Sequence, residues 1–347
     1  MGGLLMNLGR VDKAKYLEII AEITPYLDQK LGKYYKIPRY YASKPTFGDV
    51  DILVSTEIIT EVVTEVVTEI ITEIVAENKF GSWQNLTKSI ASDLKIIKFK
   101  SSGHIFSTAY LNFQVDFFCV KTEFFESTYN FLCFNDLGNL LGKMFHRFNL
   151  KFGENGLSYV YRRADGHYKT DLPVCLDIKK IIAFLDLDFS YWQSGFETLE
   201  QMFEWVVRSP YFSYKPYFDT SKTTEKRIEQ RTTVSKFTDW LQENNVQKHY
   251  FSKENREEYL PIIADYFAEA NLYQLIENEK DNEIKAIKIA EKFNGKIIMA
   301  LTSLEGKELG DFITHFKAHF ATDKADFEDF ILQNSAENIK NEILKFK

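Results

Sequence analysis

The heptapeptide Gly48-Asp49-Val50-Asp51-Ile52-Leu53-Val54 carries the sharpest chemical signal in this chain of 347 residues. Side chains alternate along a strand, so Asp49 and Asp51 project from one face. Two carboxylates held side by side raise each other's pKa unless a cation sits between them. A hard divalent ion is the natural partner, and Mg²⁺ favours one or two carboxylates completed by phosphate oxygens. A third acid, Asp116, stands in a second apolar run, Phe113-Gln-Val-Asp-Phe-Phe-Cys-Val120. If the two runs are neighbouring strands, the three acids can hold two metals about 3.5–4 Å apart. One metal would acidify an attacking hydroxyl, and the other would hold a triphosphate and its leaving pyrophosphate. Asp is poorly suited to strands, so three of them in apolar strands need a reason.

The elements that must position these acids can be read from periodicity. Residues 11–31 read as a helical hairpin or bent helix, with Thr24-Pro25 as an N-cap and first-turn pair restarting it. Residues 37–46, with Pro38 and Pro45, read as a loop leading into the Asp49 strand. Residues 94–100, 104–110 and 113–120 read as strands, the last two forming a hairpin. In residues 135–147 the apolar positions Leu137, Leu140, Leu141, Met144 and Phe145 fall at helical spacing. That leaves Asn139, Lys143 and His146 together on the polar face. Residues 157–162 read as a strand, and 177–185 and 199–207 as helices. Beyond the polar stretch 213–224 almost everything is helical in pattern, so the expected class is α+β with an all-helical C-terminal part.

Composition excludes several classes. A hydrophobic share of 45% and a charged share of 27% suit an ordinary globular chain rather than a disordered one. Three scattered cysteines fit neither a zinc site nor a disulfide framework and suit a reducing compartment. No apolar run is long enough to span a membrane, so a soluble, intracellular, cytoplasmic protein is expected. The net charge of −7 argues against a broad nucleic-acid surface. Its distribution softens that: residues 56–77 carry six glutamates and no base, while the rest of the first 150 carry sixteen bases against eleven acids. The acidic stretch is a repeat, TEII-TEVV-TEVV-TEII-TEIV, which in a helix gives an apolar stripe drifting about 40° per repeat. It reads as a solvated surface helix.

The run Gly-Asp-Val-Asp-Ile-Leu-Val, followed at a distance by Val115-Asp116-Phe117, resembles the palm of the polymerase β-like nucleotidyltransferase superfamily. The stretch Phe131-Leu-Cys-Phe-Asn-Asp-Leu-Gly-Asn139 and the helix after it resemble the nucleotide-binding helix of family X DNA polymerases. Gly156-Leu-Ser-Tyr-Val-Tyr161, Leu172-Pro-Val174 and the helix from Asp177 keep the order seen at the end of those catalytic regions, over residues 36–210. A C-terminal stretch, Lys292 to Gly310, resembles the helical tail of tRNA nucleotidyltransferases. The resemblance implies a nucleotidyltransferase palm, a mixed or antiparallel sheet with helices on one face. It implies an N-terminal helical segment (1–35), the palm (36–150), a nucleotide- or substrate-binding subdomain (151–215) and a helical C-terminal domain (216–347).

By that resemblance Asp49, Asp51 and Asp116 are the catalytic metal ligands, for two Mg²⁺ or Mn²⁺. Asn139 and Lys143 match positions that approach the incoming nucleotide, as does Gly48 before the acids. The superfamily's Gly-Ser or Gly-Gly pair, which cradles phosphates, has no counterpart in residues 36–47. Arg39, Ser43 and Lys44 stand nearest to it, and side-chain cations could replace the cradle. Arg162 and Arg163 are candidates for a nucleic-acid backbone. The implied partners are a (d)NTP and the 3′ end of a DNA or RNA, with no membrane. The implied activity is transfer of a nucleoside monophosphate to that 3′ hydroxyl. The alternative is a binding or assembly protein on a catalytically degenerate fold of the same kind.

Overall fold

The computed structural model describes residues 8–59, 82–218, 232–246, 256–320 and 324–347. Most of the Thr-Glu repeat lies outside these residues. The chain divides into two compact units, Met1–Ala270 and Asn271–Lys347. The first is mixed α and β, and the second is helical.

The first unit opens on helix α1 (Lys13–Leu31), capped by the Asp12 carboxylate accepting from the Lys15 N–H at 2.8 Å. Of the two readings, hairpin or bent helix, the hairpin is excluded: it is one continuous helix with Pro25 inside it. Tyr16, Ile19, Ile23, Leu27 and Leu31 form an unbroken buried stripe across the proline. Each such burial is worth about 1.5–3 kcal/mol, and together they outweigh the roughly 3 kcal/mol cost of an interior proline.

Five strands follow: β1 (Tyr35–Lys36), β2 (Asp49–Ser55), β3 (Phe99–Ser102), β4 (Ile105–Tyr110) and β5 (Phe113–Val120). They form one mixed sheet in the order β1-β2-β5-β4-β3. β2 and β5 run parallel, and β4 and β5 form the expected antiparallel hairpin. A parallel neighbour requires a long crossover. Here it contains the repeat, helix α2 (Trp83–Asp93) and the β3–β4 pair.

The two faces of the β2/β5 pair differ. Val50, Ile52 and Val54 of β2, with Phe113, Val115 and Phe117 of β5, share a core with the buried residues of α1 and α2. The opposite face holds Leu53 and Val120 at one end, packed with Phe125 of helix α3 (Phe125–Leu132). At its other end the same face presents Asp49, Asp51 and Asp116.

Helix α4 (Leu137–Phe145) and a 3₁₀ turn at His146–Phe148 lead into a three-stranded antiparallel sheet of β6 (Leu150–Gly153), β7 (Gly156–Arg162) and β8 (Tyr168–Cys175). Helices at Ile178–Phe184, Phe189–Ser194, Leu199–Val207 and Thr232–Glu243 complete most of this unit. The last joins it through an aromatic cluster in which Phe237 meets Phe203 at 4.9 Å and Tyr217 at 5.0 Å.

The second unit has helices at Leu272–Lys292, Gly295–Thr302, Gly306–Phe320, Lys324–Gln333 and Ala336–Phe346 around Phe293, Ile298, Phe316, Ile331, Ile339 and Ile343. Lys292 Nζ donates to the carbonyls of Ile331, Leu332 and Asn334, closing the end of one of these helices. Among the described residues no helix is long and apolar enough to cross a membrane.

Candidate metal centre

Parallel pairing sets Asp51 directly beside Asp116 and Asp49 beside Gln114. With the period of two, this makes a square of four polar side chains on one face of β2 and β5. A carboxylate oxygen from each of Asp49, Asp51 and Asp116 lies within 4.8 Å of the others. Ser107 of β4 stands across from Asp116 on its other flank.

The electrostatics are those of crowded acids. The Asp51 carboxyl is pushed up to about 8, by burial first and then by Asp49 and Asp116. Asp116 is also raised, again chiefly by burial, with the Ser107 hydroxyl and then the Gln114 amide pulling the other way. Gln114 Nε2 donates to Asp116 Oδ2 at 2.8 Å, whereas Asp116 Oδ1 is buried with no hydrogen-bond partner among the described residues. A buried, orphaned carboxylate oxygen beside two more acids is the donor set a hard divalent cation requires. The residues present therefore fit the metal that the sequence suggests.

The loop before β2 supplies one cation to this neighbourhood. Lys44 is half-buried, 3.3 Å from Asn135 Oδ1 and 4.5 Å from the Phe47 ring centre. Burial pulls its amine down to about 8, against the upward influence of Asp49, Asp51 and Asp136. Ser43 is exposed, and its N–H donates to the Glu197 carbonyl. Gly48 is buried immediately before β2.

Arg39 serves a different purpose. Its guanidinium lies 4.7 Å from both the Phe134 and the Trp192 rings. Nη1 donates to the Gln193 carbonyl at 2.7 Å and Nη2 to the Trp192 carbonyl at 3.3 Å. These bonds tie the loop to the helix at Phe189–Ser194 and engage both arms of the fork that a phosphate would need. A cavity of 480 Å³ lies on this side, lined by Arg39, Tyr40, Phe134, Tyr191, Phe196 and Gln201 among others; none of the triad acids lines it.

On α4, Asn139 Nδ2 donates to Asp136 Oδ1 at 3.1 Å. Lys143 Nζ donates to the Pro216 carbonyl at 2.9 Å, so it braces the segment that follows the helix at Leu199–Val207. Gly138 answers to packing: a Cβ there would lie 2.5 Å from the Phe131 carbonyl oxygen. Arg162 and Arg163 are both exposed at the end of β7.

Two residues near the acids are given no role by the motifs read from the sequence. Gln114 carries a readable signal, since it lies two positions before Asp116 on the same strand face. Tyr16 carries none. It is buried, stacked on Phe47 at 3.8 Å, and its hydroxyl is pushed above the ordinary tyrosine range by burial, then by Tyr40, Asp51 and Asp49. In comparisons with known proteins, no family model matches the chain and no curated protein matches it.

Proposed function

We propose that the protein is a metal-dependent nucleotidyltransferase whose β2/β5 sheet is a polymerase β-like palm. It joins a nucleoside monophosphate from a (d)NTP to a nucleic-acid 3′ hydroxyl. The bond formed is 3′-oxygen to α-phosphorus, the bond broken links the α-phosphorus to the bridging oxygen, and pyrophosphate leaves. The observation that carries this reading is the triad Asp49, Asp51 and Asp116 on adjacent parallel strands, with Asp116 Oδ1 buried and unpartnered among the described residues.

Asp49, Asp51 and Asp116 would hold Mg²⁺ or Mn²⁺, which when bound supplies charge neutralisation for the triphosphate and activation of the hydroxyl. The protein's own part is positioning and electrostatics, and no protein nucleophile is required. Asp49 and Asp51 are fixed two residues apart on a strand bonded on both sides. Gln114 restrains Asp116 through Oδ2. Lys44, beside the acids, provides positive charge for the phosphates, and Asn135, Asp136 and Asn139 at the start of α4 offer polar contacts to the nucleotide.

The test is primer extension with Mg²⁺ or Mn²⁺ on single-stranded DNA, primed DNA, single-stranded RNA and tRNA, offering ribo- and deoxyribonucleotides. Extension should be seen with the native chain and should fall at least about a hundredfold in Asp116→Ala, a larger loss than removing an outer-shell partner. Extension that survives Asp116→Ala would sink the reading. One observation favours the degenerate alternative: Arg39, the expected cradle residue, already donates to the carbonyls of Trp192 and Gln193. A folded native chain that binds no Mg²⁺-triphosphate would select that alternative.

A further inference from the structure

Three segments meet at the end of α4, two from the β6–β7 hairpin and its lead-in and one from far along the chain. The Phe148 and Tyr259 rings lie 4.9 Å apart, joining the 3₁₀ turn at His146–Phe148 to the turn at Arg256–Tyr259. Asn149 joins the first turn to β7 twice: the Val160 N–H donates to its carbonyl, and its Nδ2 donates to the Val160 carbonyl, both at 2.9 Å. Arg147, Arg162 and Arg256 each stand within three residues of one of these junctions. Arg162 and Arg256 are exposed and Arg147 is half-exposed.

We propose that Arg147, Arg162 and Arg256 form one anion-binding surface, which takes the phosphodiester backbone of the acceptor nucleic acid.

Arginine suits phosphate because its donors form a planar fork, and three of them at one junction can follow successive phosphates of a backbone. The electrostatics of two groups agree with that placement. Arg256, exposed but partly desolvated, is held below its usual range, with Arg162 and Arg147 adding to the effect. His146 is lowered by burial, then by Arg256, Arg162 and Lys143. The neighbouring acid Glu257 acts on the Tyr159 hydroxyl on the strand alongside. Of the expected pair, Arg162 acts on both Arg256 and His146. The surface also continues the polar face of α4 that carries Asn139 and Lys143, so it leads away from the acids along one element. Choosing a nucleic acid over other polyanions rests on the nucleotidyl-transfer reading; the existence of the surface does not.

The test is fluorescence anisotropy of labelled single-stranded DNA and RNA oligonucleotides on the full chain, without metal, across a salt series. In R147Q/R162Q/R256Q the affinity should drop, and the slope of log K against log salt should flatten by about 0.7 for each phosphate that is no longer neutralised. The double variant R162Q/R256Q, which changes only exposed residues, guards against misfolding and should show about two-thirds of that flattening. A charge-matched control, K100Q/K296Q/K307Q, should bind as the native chain does. Unchanged binding in both arginine variants, an equal drop in the lysine control, or no oligonucleotide binding by the native chain would each overturn the proposal. Failure of the transferase reading is separate, because it would appear as absent primer extension in a chain that still binds oligonucleotide through these arginines.

Discussion

The acids of β2 and β5 are brought together by backbone register alone, whereas Arg256 is brought to Arg147 and Arg162, which flank the β6–β7 hairpin, by side-chain packing from a distant segment. At the acids, every strand residue has a fixed partner, so Asp51 must face Asp116 and Asp49 must face Gln114. At the arginines, strand pairing sets Asn149 beside Val160, and ring contacts such as Phe148 with Tyr259 bring in the segment of Arg256. The first cluster is enclosed enough to push an acid's pKa up to about 8, and the second is open to water and salt. A buried like-charge cluster needs a bound counter-ion, while an exposed one is eased by screening and can exchange its anion.

Asp51→Asn tests the enclosed side most strongly. Removing one of three crowded carboxyls relieves repulsion that the metal-free fold tolerates, so the variant should melt higher than the native chain in EDTA. A gain of roughly 1 kcal/mol would raise Tm by about 2–4 °C in a unit of this size. The same variant should lose the stabilisation that Mg²⁺ gives the native chain. A lower Tm in EDTA with an unchanged response to Mg²⁺ would mean that the acids are held by structure alone, and the contrast between the clusters would collapse.

Gln114→Leu should have a smaller effect. The amide's bond to Asp116 Oδ2 leaves Oδ1 as the oxygen without a partner among the described residues, so the leucine variant frees Asp116 to rotate. Mn²⁺ affinity, read by titration of the isolated protein, should weaken about 10–100-fold, as for other residues that orient a metal ligand. Gln114→Glu should not restore it, because a carboxylate cannot donate to Asp116 and adds a fourth like charge.

This contrast also explains what was legible beforehand. The spacing of Asp49 and Asp51, and Asp116 within its apolar run, exposed the triad because strand geometry converts sequence spacing into spatial neighbours. The β4–β5 hairpin and the stripe of α4 were legible for the same reason. Arg256 could not be linked to Arg162 in that way, since no local period connects residues so far apart. Arg39 looked like a phosphate ligand because its stacking on Phe134 and Trp192 is a tertiary fact. The choice between a hairpin and one helix at Pro25 stayed open likewise, because the buried stripe that holds α1 together acquires its value only from the sheet beneath.

The smallest effect is expected at His146, and it reports on the arginines without any reaction. Its imidazole faces Arg256, Arg162 and Lys143, with Arg147 next to it in the chain, and its pKa is lowered from 6.5. A histidine whose folded pKa lies below its unfolded value withholds a proton from the folded state. Its contribution to stability is therefore complete above the unfolded pKa, and is lost as pH falls through 6.5 towards the folded value. In R162Q/R256Q two of the three repelling cations are gone, so the His146 resonance should titrate at higher pH, though still below 6.5 because burial is the first cause of the shift. Adding a single-stranded oligonucleotide to the native chain should move it upward as well, because bound phosphates offset the same cations. An imidazole that titrates identically in the native chain, the double variant and the oligonucleotide complex would show that the arginines do not act together, and that packing gathered them without giving them a shared anion.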